Sequence, residues 1–282
     1  MPSPNPPSGG RLTLVGTPIG NLSDFSPRAV EALQECDFIA AEDTRVTLKL
    51  LNHFGISKPL VSYFEHNKRE RGEQICARLR AGENAVLVTD AGMPAISDPG
   101  EDLVDLCYRY GIPVGIVPGP TAVTTALALS GLPTGRFAFE GFLSMVKKER
   151  RERLAELAAE PRTVVLYEAP HKLRATLREL AQALGGDRRI ALVRELTKIH
   201  EEVIRTTLDG AVARYEAEEP RGEYVLVIAG ATPVEAPAAT PEEAVRRARE
   251  LMEAGSPPAE AAKRAAAETG LKKSDIYRLI TG

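Results

Sequence analysis

The segment with the strongest chemical signal is residues 89–100, Thr-Asp-Ala-Gly-Met-Pro-Ala-Ile-Ser-Asp-Pro-Gly. It directly follows an apolar run, 85–88, that predicts a strand. A loop this rich in Gly, Pro, Asp and Ser costs conformational entropy to order, and loops at strand ends commonly carry function. Backbone groups of Gly92, Met93 and Ile96 could hold a purine and a short polar chain. A ligand-free βα loop would have the same composition.

Two more Gly/Pro loops follow predicted strands, Val-Gly-Thr-Pro-Ile-Gly-Asn-Leu at 15–22 and Val-Pro-Gly-Pro-Thr-Ala at 117–122. Glycine at a strand end lets the backbone approach a ligand closely. The first loop matches neither GxGxxG nor GxxxxGK[ST], which disfavours a nicotinamide dehydrogenase and a P-loop NTPase. In the second, Thr121 opens a helix whose free N–H groups could bind a carboxylate, or it is a plain N-cap.

Polar residues Glu42-Asp43-Thr44-Arg45 end the second predicted strand, and they suit a substrate with hydroxyl groups. A capped helix beginning at residue 43 or 44 explains them equally well. Further strand-end segments at 167–172, 194–202 and 222–230 are weak one by one, and an Arg194–Glu195 ion pair would explain that dipeptide without catalysis. No His, Cys or Asp pair has metal-ligand spacing, so no metal is predicted.

These loops require a scaffold of alternating strands and helices. Strands are predicted at 11–16, 37–41, 59–64, 85–90 and 113–117, with helices between them, which predicts a parallel sheet. The second half contains predicted helices at 121–130, 146–159 and 172–184 and strands at 137–143, 163–168, 189–196, 201–208 and 223–229. Three late strands in sequence predict a mixed sheet. The expected organisation is a disordered tail 1–10, α/β lobes 11–118 and 119–230, a linker 231–240 and a helix-turn-helix-like module 241–282.

Composition narrows the class of protein. The 282 residues carry 36 Lys and Arg against 39 Asp and Glu, so general coating of nucleic acid is disfavoured. No apolar stretch is long enough for a membrane helix, and the N-terminus lacks the pattern of a secretory signal. Three widely spaced cysteines argue against a disulfide scaffold and for a reduced, cytoplasmic protein.

Taken in order, the motifs resemble the tetrapyrrole methylase superfamily, and within it the ribosomal RNA small subunit methyltransferase I family. The resemblance covers about residues 11–230, and the C-terminal module is also like that family's extension. Met93 departs from the family, which more often has Thr there. The resemblance rests on seven segments, namely VGTPIGNLSD at 15–24, AAEDTR at 40–45, TDAGMPAISDPG at 89–100, VPGPTA at 117–122, YEAPHK at 167–172, RELTKIHEE at 194–202 and GEYVLVI at 222–228.

The resemblance implies a two-lobed α/β fold, a homodimer, and S-adenosylmethionine-dependent methylation of a cytidine 2′-hydroxyl in the decoding region of 16S rRNA. Gly16 and Gly20 are expected to face the reacting centre. Matching the family's motifs position by position places the cofactor against Asp90, Gly92, Met93, Ile96, Ser97, Thr121, Ala122, Tyr167 and Leu196. The alternatives are a tetrapyrrole methylase of the same superfamily, a non-enzymatic RNA-binding protein and a ligand-sensing DNA-binding regulator.

Removal of the hydroxyl proton would be helped by a nearby carboxylate or amine, and the candidates are Asp43, Glu195 and Lys198. A 2′-hydroxyl target requires RNA as the partner, and the resemblance implies 16S rRNA within the 30S subunit. The basic segment 147–153 is also explained by a solvated helix face of alternating charge. The RNA-binding candidates are Arg45, Lys147, Lys148, Arg150, Arg151, Lys272 and Lys273.

Overall fold

The computed structural model describes residues 9–232 and 240–282. The chain separates into two compact units, one ending at Ala231 and one beginning at Thr232. Most of the predicted tail and most of the predicted linker lie outside the described residues. None of the described helices is both long and apolar enough to cross a membrane.

The first lobe is built on a five-stranded sheet in which every pairing is parallel, in the order β3-β2-β4-β1-β5. Its strands are β1 (Leu12–Val15), β2 (Phe38–Ala41), β3 (Leu60–Ser62), β4 (Ala85–Val88) and β5 (Val114–Val117). Its helices are α1 (Pro27–Glu35), α2 (Thr44–His53), α3 (Lys68–Arg80) and α4 (Gly100–Arg109), with a short 3₁₀ turn at Leu22–Asp24. The predicted parallel sheet is confirmed.

Side-chain alternation along these strands fills a core on each face of the sheet. Leu14 and Leu87 belong to one buried cluster, whereas Val15 and Val86 belong to the other. Because both faces are buried, the strands carry near-continuous apolar runs, as parallel sheets do. Because all five strands are parallel, their carboxyl ends lie at a single edge of the sheet, where the Gly/Pro loops begin.

The second lobe has a mixed sheet in the order β6-β7-β10-β8-β9, in which β6 and β7 are parallel and the other pairs are antiparallel. This confirms the predicted mixed sheet. The strands are β6 (Phe137–Gly141), β7 (Thr163–Glu168), β8 (Arg189–Arg194), β9 (Glu202–Thr207) and β10 (Tyr224–Ile228). The helices are α5 (Ala122–Ser130), α6 (Lys147–Ala159), α7 (Pro170–Leu184) and α8 (Leu208–Ala217).

Helix α8 was not predicted from the sequence. It begins without an intervening loop, because Thr207 is the last residue of β9 and also the N-cap whose side chain accepts from the Gly210 amide. A glycine in the first turn lowers helix propensity. Burial of Leu208, Ala211 and Tyr215 in the core of the lobe stabilises the helix instead.

The C-terminal unit contains α9 (Pro241–Glu253), α10 (Pro258–Thr269) and α11 (Lys273–Thr281). Thr240 and Glu243 form a reciprocal capping box at the start of α9. Gly270, with φ of 72°, ends α10 in the left-handed conformation that favours glycine. The buried core consists mainly of alanines, which let the helices approach closely.

Candidate functional site at the lobe junction

Three Gly-containing loops meet where β1, β4 and β5 end. A β-carbon on Gly16 would stand 2.6 Å from Met93 Sδ and 2.7 Å from Gly119 Cα, so only glycine fits. The Gly119 amide donates to Met93 Sδ at 3.2 Å. Thr17 and Gly92 exchange two backbone hydrogen bonds, of 2.9 and 3.2 Å. These contacts join segments that are distant in sequence into one edge of the site.

The loop after β4 is held in an unusual conformation. Ala95 and Ser97 have φ of 67° and 63°, in a region that residues with a β-carbon rarely adopt. The Asp98 carboxylate accepts hydrogen bonds from the amides of Ala95, Ile96 and Gly100, at 2.9, 3.2 and 2.7 Å. Burial raises the pKa of Asp98 even though these amides favour the charged form. Such strain concentrates at functional sites.

A second strained loop meets the first lobe at Gly20. Glu195 and Thr197 have φ of 51° and 63°. A β-carbon on Gly20 would lie 2.6 Å from Lys198 Cγ and 2.9 Å from the Leu196 carbonyl oxygen. The loops after β1 and β8 therefore pack directly against each other, which places Gly20, Leu196 and Lys198 at the junction of the lobes.

Lys198 is bound by two carboxylates. Its ammonium lies 2.9 Å from Glu195 Oε1 and 3.0 Å from Glu223 Oε2. Burial favours the neutral form of each group, but the hydrogen bonds outweigh it, so the pKa of Lys198 is raised and that of Glu195 is lowered. An Arg194–Glu195 ion pair, the alternative explanation of that dipeptide, is absent among the described residues, because Arg194 pairs with Glu202 at 3.5 Å.

Three aromatic side chains of the second lobe lie together on its side of the lobe junction. The ring of Tyr167 lies 5.0 Å from that of Phe139 and 5.5 Å from that of Phe142, measured between centroids. Burial raises the pKa of the Tyr167 phenol. Tyr167 and Ala122 pack against the buried cluster that contains both Ile19 and Leu196, so residues from both lobes share this apolar cluster.

Thr121 is the N-cap of α5, and its side chain accepts a hydrogen bond from the Thr124 amide at 3.3 Å. The amides of Ala122 and Val123, in the first turn of the helix, have no acceptor within the helix itself. A β-carbon on Gly141 would lie 3.1 Å from Ser97 Oγ, so the loop after β4 reaches the second lobe near this point. Apolar, aromatic and N–H groups thus converge between the lobes.

A cluster of charged side chains lies at the end of β2. The Asp43 side chain accepts from the Arg45 amide at 2.8 Å and from its guanidinium at 3.1 and 2.6 Å. These bonds lower the pKa of Asp43 to about 2. The Asp43 amide donates to Asp90 Oδ1 at 3.0 Å, and burial raises the pKa of Asp90. Asp43, Arg45 and Asp90 therefore form one contiguous cluster.

Comparison with known proteins identifies the family. The sequence profile described as Tetrapyrrole (Corrin/Porphyrin) Methylases matches residues 11–212. This chain belongs to the tetrapyrrole methylase family. A protein named ribosomal RNA small subunit methyltransferase I from Synechocystis is 50% identical over 270 residues, which are 96% of this chain and 97% of the relative. A protein of the same name from Escherichia coli O157:H7 is 43% identical, with 96% and 94% covered.

Solved structures support the same fold. Diphthine synthase aligns with a TM-score of 0.60 at 17% identity, covering 78% of this chain and 90% of that one. Uroporphyrin-III C-methyltransferase from Thermus thermophilus, solved with S-adenosyl homocysteine, aligns with a TM-score of 0.55 at 24% identity, covering 77% and 97%. The predicted two-lobed tetrapyrrole methylase fold is thereby confirmed.

Among the residues predicted to bind RNA, Arg150 makes its contacts within the protein. Arg150 is half-buried in α6, and its guanidinium binds Glu179 and Thr176 at 2.5 and 2.8 Å. Because two of its donor nitrogens are used within the lobe, Arg150 is less available to RNA than its exposed neighbours, and its assignment to the RNA-binding set stays a prediction. Lys147, Lys148 and Arg151 are exposed on the same helix, and Lys272 and Lys273 are exposed in the C-terminal unit.

Sequence analysis missed several residues that shape the site. Asp98 organises the loop after β4, and Phe139 and Phe142 flank Tyr167. Glu42, which the sequence did indicate, accepts from Thr89 Oγ1 at 2.6 Å. Asp98 stands before Pro99-Gly100, a pattern typical of an Asx turn, and that signal was available. In residues 9–232 and 240–282, no three His, Cys, Asp or Glu side chains come together to hold a metal ion.

Proposed function

We propose that this protein transfers a methyl group from S-adenosylmethionine to the 2′-hydroxyl of a cytidine in the decoding region of 16S rRNA. The observation that carries the proposal is the 42–50% identity to proteins named ribosomal RNA small subunit methyltransferase I, mostly over 95–96% of this chain. Identity this high over both lobes and the C-terminal unit supports a common reaction.

The cofactor would lie between the lobes. The strained loop after β4, the first turn of α5 and the aromatic group around Tyr167 suit a ligand with a purine, a polar chain and a carboxylate. When bound, S-adenosylmethionine supplies a methyl group already activated by the sulfonium. The chain's own task is then alignment of the acceptor oxygen and exclusion of water. The residues proposed to hold the cofactor are Asp90, Gly92, Met93, Ile96, Ser97, Thr121, Ala122, Tyr167 and Leu196, with Gly16 and Gly20 beside the reacting centre.

The acceptor hydroxyl loses a proton during transfer, and three residues were candidates to accept it. Lys198 is protonated at neutral pH because its pKa is raised, so it cannot serve as a base. Glu195 and Asp43 have lowered pKa values, which makes their carboxylates weak bases. Asp43 keeps the better position of the two, because it adjoins Asp90. We propose that a carboxylate of the Asp43–Asp90 cluster accepts the proton of the acceptor hydroxyl.

The proposed RNA partner is 16S rRNA within the 30S subunit. Exposed Lys147, Lys148 and Arg151 on α6 and Lys272 and Lys273 beside α11 are proposed to contact phosphate. Arg45 at the start of α2 is proposed to do so near the reacting centre. The chain is proposed to act as a cytoplasmic homodimer, with functional divisions 11–118, 119–230, 231–240 and 241–282.

Methylation of a tetrapyrrole is the second candidate, favoured by the description of the matched family. One experiment separates the two. Labelled S-adenosylmethionine is incubated with 30S subunits that lack decoding-region methylation, with free 16S rRNA, and with a tetrapyrrole precursor. Label on a ribose 2′-oxygen of the particle is expected. Label on the tetrapyrrole alone would overturn the proposal. Variants of Gly16 can be tested in the same assay, and Gly135→Ala, at a glycine with free space around it, is their matched control.

A further inference from the structure

A second cleft lies next to the proposed cofactor loop, on the first lobe. It has a volume of about 230 Å³ and is enclosed by the end of β1, the end of β4 and one side of α2. Its lining residues are Thr17, Pro18, Leu22, Val46, Thr47, Lys49, Leu50, Thr89 and Asp90. Thr89 and Asp90 lead directly into the loop 91–98, so the cleft adjoins the site where the methyl donor is proposed to bind.

Two cations lie on the helix that borders this cleft. Lys49 is exposed, and no Asp or Glu of the described residues lies within 4 Å of its ammonium. Arg45 precedes it by four residues on α2, so both cations project from the same side of the helix, separated by a rise of about 6 Å. The Arg45 side chain is 87% exposed even while it pairs with Asp43. Two such cations suit the phosphates on either side of one nucleotide.

The interior of the cleft has few unsatisfied polar groups. The hydroxyl of Thr17 donates to the Thr89 carbonyl oxygen at 3.1 Å, and that of Thr89 donates to Glu42 at 2.6 Å. Asp90 uses Oδ1 to accept from the Asp43 amide, while Oδ2 has no partner among the described residues. Asp90 therefore offers one carboxylate oxygen to a hydroxyl donor within the cleft.

The lips of the cleft are apolar. Leu22 is 43% exposed and Val46 is 38% exposed, and both line the cleft. Enzymes that act on a single nucleotide take it out of its stack and hold it between apolar surfaces and polar groups. A cleft with apolar lips, a free carboxylate oxygen and flanking cations has the chemical groups that would recognise one extruded nucleotide.

We propose, on the basis of the proposed RNA methylation, that this cleft receives the nucleotide to be methylated, with Lys49 binding its flanking phosphate and Asp90 accepting a hydrogen bond from its ribose. Lys49 is thus a substrate-positioning residue that lies outside the cofactor loops. The cofactor remains bound by residues 90–98 and the second lobe, so Asp90 lies between the two ligands. The two ligands approach each other across Thr17, Thr89 and Asp90.

The first test replaces the cation. Lys49→Gln is compared with Arg80→Gln, which removes an exposed, carboxylate-free cation at the end of α3, on the opposite edge of the sheet. Lys49→Gln is expected to raise KM for 30S subunits roughly three- to tenfold and to lower the salt dependence of binding by about one unit. Affinity for S-adenosylmethionine, measured by calorimetry, should stay unchanged. Equal KM values and salt slopes in both variants would overturn the proposal.

The second test fills the cleft. Val46→Trp places a large ring on the lip, whereas Leu48→Trp places the same ring on an exposed position of α2 that does not line the cleft. Val46→Trp is expected to lose most turnover on 30S subunits while keeping cofactor affinity and melting temperature. Full turnover in Val46→Trp would overturn the cleft assignment and leave the methyltransferase function standing. Absence of methylation by the unmodified protein would overturn both proposals.

Discussion

Gly16 and Gly119 lie so close that neither position has room for a side chain. A β-carbon on Gly16 would stand 2.7 Å from Gly119 Cα, and one on Gly119 would stand 2.8 Å from the Gly16 carbonyl oxygen. The contact joins the end of β1 to the end of β5, and Met93 Sδ completes it from the loop after β4. The proposed cofactor site therefore depends on backbone packing between three loops.

Gly16→Ala is expected to destabilise this contact. The added carbon must displace backbone as well as Met93, which costs about 1–3 kcal/mol, and should weaken cofactor binding on the order of tenfold or more. Thermal unfolding and calorimetry with S-adenosylmethionine measure the two effects. Gly135→Ala, where nothing lies within 4 Å of the added carbon, should change neither quantity. Wild-type affinity in Gly16→Ala would contradict the assignment of this loop to the site.

Asp98→Asn is expected to loosen the loop after β4. The carboxylate accepts three amide hydrogen bonds, and the neutral amide cannot accept all of them with the same strength. A loss of about 1–3 kcal/mol of stability, with weaker cofactor binding, should follow. Asp105→Asn, which removes only a carboxylate paired with Arg109 on the exposed side of α4, is the control. If both variants bind the cofactor equally well, Asp98 does not shape the site.

Lys198→Met is expected to lower stability without changing the pH dependence of turnover. The raised pKa of Lys198 means that its contribution is fully present below the ordinary value of 10.5 and is lost as the pH rises through the folded value. The lowered pKa of Glu195 means that its contribution is present above 4.5 and is lost as the pH falls through the folded value. Between these limits both groups stay charged.

Because Lys198 is about one-third exposed, the stability loss at neutral pH should be only about 1 kcal/mol. Lys198→Arg retains the charge and should recover part of it. Turnover from pH 6 to 9 should keep its profile in Lys198→Met. An alkaline limb that disappears in this variant would show that Lys198 accepts the proton after all.

Asp90→Asn is expected to slow methyl transfer more than Asp43→Asn. A base with a pKa nearer to the working pH accepts a proton better, and the pKa of Asp90 is raised whereas that of Asp43 is about 2. Asparagine is as good an N-cap as aspartate, so Asp43→Asn should leave α2 intact. Single-turnover rates with saturating cofactor should fall roughly 10²–10⁴-fold for Asp90→Asn.

The pH dependence gives a second measurement of the same point. The wild-type rate should fall towards acid pH as the Asp90 carboxylate takes up a proton, and this acid limb should be missing in Asp90→Asn. Asp43 remains ionised throughout, so Asp43→Asn should keep the limb. The reverse order of the two variants would assign the proton to Asp43.

Truncation after Ala231 is expected to preserve cofactor binding. The relative from Thermotoga maritima is matched over 99% of its length by only 78% of this chain, at 47% identity, so a shorter protein bears the same name. The residues up to Ala231 form a compact unit. Calorimetry should give an unchanged affinity for S-adenosylmethionine, while KM for 30S subunits should rise if Lys272 and Lys273 contact RNA. An unchanged KM would remove those lysines from the RNA-binding set.

The order of the motifs along the chain was enough to indicate the family. The alternation of strands and helices, the parallel and mixed sheets and the Gly/Pro loops could also be predicted from the sequence. These features depend on local patterns, namely side-chain periodicity, caps and turn residues, which are properties of short segments. The exception is α8, which follows β9 without a break. There, burial against the second sheet outweighs a glycine in the first turn.

Which of those residues contact one another follows from the packing of the two lobes. Gly16 contacts Gly119 across a sheet whose strand order is not the chain order, and Gly20 contacts Lys198 from the other lobe. Arg194 and Glu202 are directly opposite each other on the antiparallel strands β8 and β9, whereas Glu195 lies just beyond β8, at φ of 51°, and pairs with Lys198. The cleft beside Lys49 likewise exists only because helix α2 packs against the ends of two strands. Pairings of this kind depend on long-range packing, which local sequence patterns do not encode.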